Sequence, residues 1–92
     1  MNIPRITSID EALRIYYTHS EMSNKEITTL FGRLSSATIA KLKKLVKEEM
    51  IKRDTLSYGI HTVNTGIAYD VWGIDVNDLE QRQMKLKALE LQ

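Results

Sequence analysis

The residues with the clearest chemical potential are cationic and clustered. Arg33, Lys41, Lys43, Lys44, Lys47, Lys52 and Arg53 lie within a stretch that holds only two acids, Glu48 and Glu49, so residues 33–53 carry +5. The segment before it, with three basic and four acidic side chains, carries −1, and the segment after it, with three and six, carries −3. The whole 92-residue chain is therefore near neutral at +1 while its positive charge sits in one block. Local potential, rather than total charge, is what attracts a phosphate backbone. Directly ahead of the lysines stand Ser35, Ser36, Ala37 and Thr38. Side chains this small let a backbone approach another surface closely, so cations follow a segment suited to close contact.

Other chemistry is poorly represented. There is no cysteine, which removes disulfides, thiol catalysis and thiolate-bound zinc and fits a reducing cytoplasm. His19 and His61 are far apart and have no third ligand at metal spacing, so a helix-end and a strand histidine are the roles expected of them. No nucleophile elbow, phosphate-cradling glycine loop or histidine-containing triad is present. Neither an enzyme nor a cofactor is implied. Tyr16, Tyr17, Tyr58, Tyr69 and Trp72 are expected mostly in or beside the core, because single-strand stacking would need them beside positive charge and residues 54–92 are acidic. No apolar run is long enough for a membrane span, and the first five residues lack the basic start of a secretory signal.

Stepwise helical patterns would position the basic block. Ser8 and Glu11 form a capping box ahead of Ile9, Leu13 and Tyr16 or Tyr17, predicting a helix over about 9–18. Ser23 and Glu26 form a second, with Ile27, Leu30 and Phe31 on one face and Gly32 as the stop, predicting a short helix over 24–31. Residues 37–50 place Ile39, Leu42, Leu45, Val46 and Met50 on one stripe, with Thr38, Lys41 and Lys44 assigned to the opposite side. From Leu56 to Trp72 the chain is rich in β-branched and aromatic residues, with Asn64-Thr65-Gly66 in the middle. Ile67, Tyr69 and Val71 alternate with their neighbours. That pattern predicts a β-hairpin over about 56–72 with its tip at Asn64. Asn77 and Glu80 suggest a third capping box opening a polar helix over about 78–91. This helix either folds back onto the first helix or forms a dimer seam, since its heptads are broken.

A short helix, a glycine turn and a second helix rich in small polar and basic residues make a helix-turn-helix pattern. Lys25-Glu26-Ile27-Thr28-Thr29-Leu30-Phe31-Gly32 and Ser35-Ser36-Ala37-Thr38-Ile39-Ala40-Lys41-Leu42 resemble the helix-turn-helix regulators of bacteria and their phages, and more loosely the winged-helix group. In that resemblance Ile27, Phe31 and Ile39 fill core positions and Gly32 the turn. Thr28 stands where the family often has alanine, and Arg33-Leu34 lengthen the turn by one residue. The resemblance implies a recognition helix starting near Ser36 and a wing formed by the hairpin.

The combined reading is one domain over 1–92, mainly α with a small β-hairpin: a tri-helical, winged-helix-like helix-turn-helix (about 24–47) plus a C-terminal helix. The function read from it is sequence-specific binding of double-stranded DNA, as a small cytoplasmic transcriptional regulator of bacterial or phage type. Ser36, Ala37, Thr38 and Lys41 would face the groove, and Arg33, Ser35, Lys44, Lys47 and Asn64 would complete the contact surface. The rival is a winged helix reused as a protein-assembly module. It would need an exposed apolar patch around Tyr58, Tyr69 and Trp72.

Overall fold

Side-chain caps open most of the helices. Ser8 accepts the Glu11 N–H at 3.3 Å and starts α1, Ile9–Thr18. Glu26 accepts the Ser23 N–H at 2.9 Å and starts α2, Asn24–Phe31. Ser35 accepts the Thr38 N–H at 3.2 Å and starts α3, Ser36–Lys52. Each satisfies a backbone donor that the first turn leaves without a partner. The computed structural model describes residues 2–55, 59 and 61–90. Within these it is mainly helical, with one small antiparallel sheet.

Between α1 and α2 lies a two-residue strand, β1, Glu21–Met22. It pairs with β2, Val63–Asn64, in the register Glu21 with Asn64 and Met22 with Val63. The Thr65 N–H extends the pairing to the Ser20 carbonyl at 3.0 Å. Then come α4, Thr65–Trp72, and α5, Val76–Glu90. No described helix is long and apolar enough to cross a membrane.

The hairpin expected over 56–72 is not what the chain forms. Its second arm is the helix α4, and the sheet joins segments some forty residues apart in sequence. Leu56, Tyr58 and Ile60 of the first arm lie outside the described residues. The physical reason is periodicity. Thr65, Ala68, Tyr69 and Trp72 recur at helical spacing and are all buried, while the alternation of Ile67, Tyr69 and Val71 is coincidental. Asn64 caps this helix: its Oδ1 accepts the Ile67 N–H at 2.9 Å. Gly73, at φ 73° and ψ 27°, ends it in the left-handed conformation that glycine adopts without penalty. A turn tip in the sequence is therefore a helix start in the fold.

A cluster of buried side chains draws on every described element. α1 contributes Ala12, Leu13 and Ile15, β1 Met22, and α2 Ile27, Leu30 and Phe31. α3 adds Leu42, Val46 and Met50, β2 Val63, α4 Ile67, Ala68, Tyr69 and Trp72, and α5 Leu79. Two aromatic side chains bolt α4 to the other helices. The Tyr69 hydroxyl donates to the Ala12 carbonyl of α1 at 2.6 Å, and Trp72 Nε1 donates to the Leu42 carbonyl of α3 at 3.2 Å. Burial pushes the Tyr69 hydroxyl well above the usual tyrosine range, with Tyr16 adding to the shift. Phe31 meets Trp72 edge-on with centroids 5.3 Å apart, so α2 is tied into the same cluster.

Candidate nucleic-acid interface

The α2–α3 junction fixes how α3 is presented. Gly32 ends α2 at φ 86°, and a Cβ there would lie 3.3 Å from Thr7 Cγ2. Thr7 itself holds the end of α2, its N–H donating to the Leu30 carbonyl at 2.9 Å. Leu34 packs against the core, and Ser35 then caps α3. The turn is thus pinned on both sides, and the first turn of α3 follows from a fixed point.

Along α3, Leu42, Val46 and Met50 are buried and Ile39 is half-buried, which defines the inner face. At 3.6 residues per turn, Ser36, Ala37, Ala40, Lys41, Lys44 and Lys47 share the opposite face. All are exposed except Lys47, which is half-buried. Arg33 is exposed in the turn. Among the described residues, Arg33, Lys41 and Lys44 take part in no salt bridge, so the positive charge they carry is available to an outside anion. Ser36, Ala37 and Ala40 form a low, small-residue strip between these cations.

Three sequence-predicted positions have other duties. Thr38 is half-buried rather than turned outward, and its hydroxyl lies 2.9 Å from Ser35 Oγ. Position 38 falls on the inner flank of the helix, so it and Ser35 together build the cap. Ser35 remains exposed but is committed to α3. Asn64 is not the tip of a wing. It is half-buried in β2 and caps α4, which corrects its placement at a hairpin tip.

Two residues of this region were missed. Ala40 stands four positions after Ser36 and three after Ala37, so helical spacing alone would have found it. Lys43 is different. Its Nζ donates to Asn24 Oδ1 at 3.0 Å and to the His61 carbonyl at 2.6 Å, joining α2, α3 and the segment before β2. Burial lowers the Lys43 ammonium below the ordinary lysine range, and the positive charge of Lys47 adds to the effect. No sequence signal marks partners 19 and 18 positions away. Arg53, also in the basic block, is turned to the fold: it pairs with Asp70 of α4 at 3.0 Å and with Glu49 at 3.5 Å.

The aromatic patch that the assembly alternative requires is absent from the described surface, and the interior placement expected of most aromatics holds for Tyr69 and Trp72. Tyr69 and Trp72 are buried, and Tyr58 lies outside the described residues. Among the described residues no group of three histidine or carboxylate side chains is placed to hold a metal ion. No protein-family model, curated protein or solved structure matches this chain.

Proposed function

We propose that this chain binds double-stranded DNA with sequence specificity through the outer face of α3, as a small transcriptional regulator of the winged helix-turn-helix type. The observation that carries the reading is the composition of that face. Ser36, Ala37 and Ala40 offer close approach, and Arg33, Lys41 and Lys44 flank them with no acidic partner among the described residues. An exposed helix of this kind fits the major groove, where base edges are distinguishable, while flanking cations neutralise phosphates. The order helix, strand, helix, helix, strand, with β1 paired to β2, supports the winged class. The protein-assembly alternative loses support, because Tyr69 and Trp72 on which it relied are interior.

Fluorescence-anisotropy titration with random-sequence duplex DNA, at roughly 50 and 200 mM salt, tests the reading. Affinity that falls steeply between the two is the expected outcome. Lys44→Ala should then weaken binding to every duplex and reduce the salt slope by about 1, whereas Ser36→Ala should alter preference among sequences. Absence of binding at the lower salt would reject the reading and leave the α3 lysines as a solvated face.

A further inference from the structure

We propose that Lys43 is a positioning residue for DNA reading: its ammonium clamps α3 to the start of α2 and to the segment that enters β2, and so sets the angle at which the outer face of α3 meets a duplex. The proposal rests on the DNA-binding role of α3 and adds to it a residue that touches no nucleic acid.

In the sequence nothing sets Lys43 apart from Lys41, Lys44 and Lys47. The fold separates it from them. Its neighbours at helical spacing are Ile39 and Val46 on the inner side and Ala40 and Lys47 on the outer side, so it stands at the border between the two. An ammonium has three donors, and Lys43 uses two of them inside the molecule. One goes to Asn24 Oδ1 at 3.0 Å, the other to the His61 carbonyl at 2.6 Å. Both acceptors are neutral, and Lys43 has no salt bridge among the described residues. Hydrogen bonds from a charged donor are the stronger kind, and two of them in different directions hold a half-buried side chain in one place.

The bond to Asn24 is, among the described residues, the only hydrogen bond between α2 and α3. The other tie between these helices is at the far end of α2, where Gly32 turns the chain and Ser35 caps α3. α2 has eight residues and is about 12 Å long. Ile27, Leu30 and Phe31 bury its inner face, but apolar contact is non-directional and leaves a short helix free to swivel about the turn. A second pin at Asn24 removes that freedom.

Further bonds close a ring through the same lysine. Beside His61, the Thr62 hydroxyl donates to Glu21 Oε1 at 2.5 Å. Glu21 belongs to β1, which pairs with β2 and leads through Met22 and Ser23 into Asn24. The circuit runs from Lys43 to His61, across Thr62 and Glu21 to β1, along the chain to Asn24, and back to Lys43. α2, α3 and the sheet therefore meet at one ammonium. Removing it opens both links of α3 to the circuit, whereas removing the Asn24 amide opens one. Base contacts need their supporting elements placed to about 0.5 Å, so a loosened clamp blunts discrimination before it weakens general attraction.

The test uses the full chain, a duplex selected by the wild type from a random pool, and an unselected duplex, all well below the melting temperature. Lys43→Met should lower the ratio of selected to unselected affinity about tenfold, the worth of one well-placed base contact, and Asn24→Ala about threefold. The salt slope on the unselected duplex should stay unchanged in both, because no phosphate contact is lost, against a drop of about 1 in Lys44→Ala. The double variant should discriminate no worse than Lys43→Met alone, since both changes act on one clamp. A merely structural lysine would lower the melting temperature and leave the ratio unmoved. Asn24 is exposed and uncharged, so Asn24→Ala carries the test even where Lys43→Met does not fold. A wild type that binds no duplex at low salt rejects the DNA reading and the proposal with it. Binding by the wild type combined with a slope lowered by about 1 in Lys43→Met, an unchanged ratio in Asn24→Ala, or additive losses in the double variant overturns the positioning role alone.

Discussion

The two longest helices, α3 and α5, make opposite uses of their surfaces. α3 buries Leu42, Val46 and Met50 at intervals of four along its length and is further held by the Trp72 and Lys43 hydrogen bonds. Its outer face is cationic and built of small residues. α5 buries Leu79 alone, near its start, and exposes leucines at its end. A helix anchored at several points presents its outer side chains in fixed positions, which suits a contact whose partner has a rigid shape. α5 is held on α1 along its first half, where Glu80 accepts from Tyr17 and Gln83 donates to Asp10, and beyond Gln83 its described residues are exposed. The contrast teaches that helices of similar length can be embedded to very different depths, according to how far their apolar stripe runs.

The sharpest way to break this contrast is to truncate a leucine on each helix. Leu42→Ala should lower stability by about 2–5 kcal/mol, because Leu42 is fully buried and its removal leaves a cavity in the core. Leu86→Ala should change monomer stability by less than about 0.5 kcal/mol, the usual range for an exposed site. Thermal or urea unfolding of dilute protein reads both. Equal losses would mean that α5 is as deeply embedded as α3.

Next in size is the anchor between α4 and α1. Tyr69→Phe should cost about 1–3 kcal/mol, since the Ala12 carbonyl loses its donor in a buried place. The same tyrosine predicts a pH dependence. Its folded-state pKa is raised, so its protonated form contributes full stability below the ordinary tyrosine value near 10 and loses that contribution as pH rises beyond it. Alkaline titration followed by circular dichroism should show unfolding starting above about pH 10, and Tyr69→Phe should remove that component.

Smaller effects separate the caps. Ser35→Ala should cost about 1 kcal/mol through the lost bond to the Thr38 N–H. At α5 the corresponding acceptor is Asp75, whose Oδ1 takes the Asp78 N–H at 3.2 Å, and not the Asn77–Glu80 box that the sequence suggested. Asp75→Ala should therefore destabilise, and Asn77→Ala should not. The smallest effect on stability is that of Lys44→Ala, within about 0.5 kcal/mol, although its effect on salt-dependent DNA affinity is the direct test of the α3 face.

Local chemistry made much of the fold readable. Ser8 with Glu11 and Ser23 with Glu26 marked the starts of α1 and α2, and Gly32 marked the end of α2. The apolar stripe through Leu42, Val46 and Met50 located α3, which begins one residue earlier and ends two later than the stripe implied. Of the candidate face, Ser36, Ala37, Lys41 and Lys44 lie exposed on the outer side of α3 as helical spacing predicts, Arg33 is exposed in the turn before it, and Lys47 is half-buried. Thr38 was misjudged by a fraction of a turn. At the first turn of a helix, a hydroxyl between the two faces can join the cap instead of facing outward.

By itself, then, the sequence determined the helices whose caps and apolar spacing lie within a few residues of each other, and the concentration of positive charge on one of them. Only the tertiary structure decided the rest. Residues 65–72 satisfy both an alternating and a helical pattern. The choice fell to the helix because that form sends Tyr69 to Ala12 and Trp72 to Leu42 while Asn64 caps its start. The strand pairing of Glu21 with Asn64, and the capture of Lys43 by Asn24 and His61, likewise join residues remote along the chain. Short-range interactions fix short-range geometry, whereas which of two locally acceptable forms survives depends on burial and hydrogen bonds supplied by distant segments.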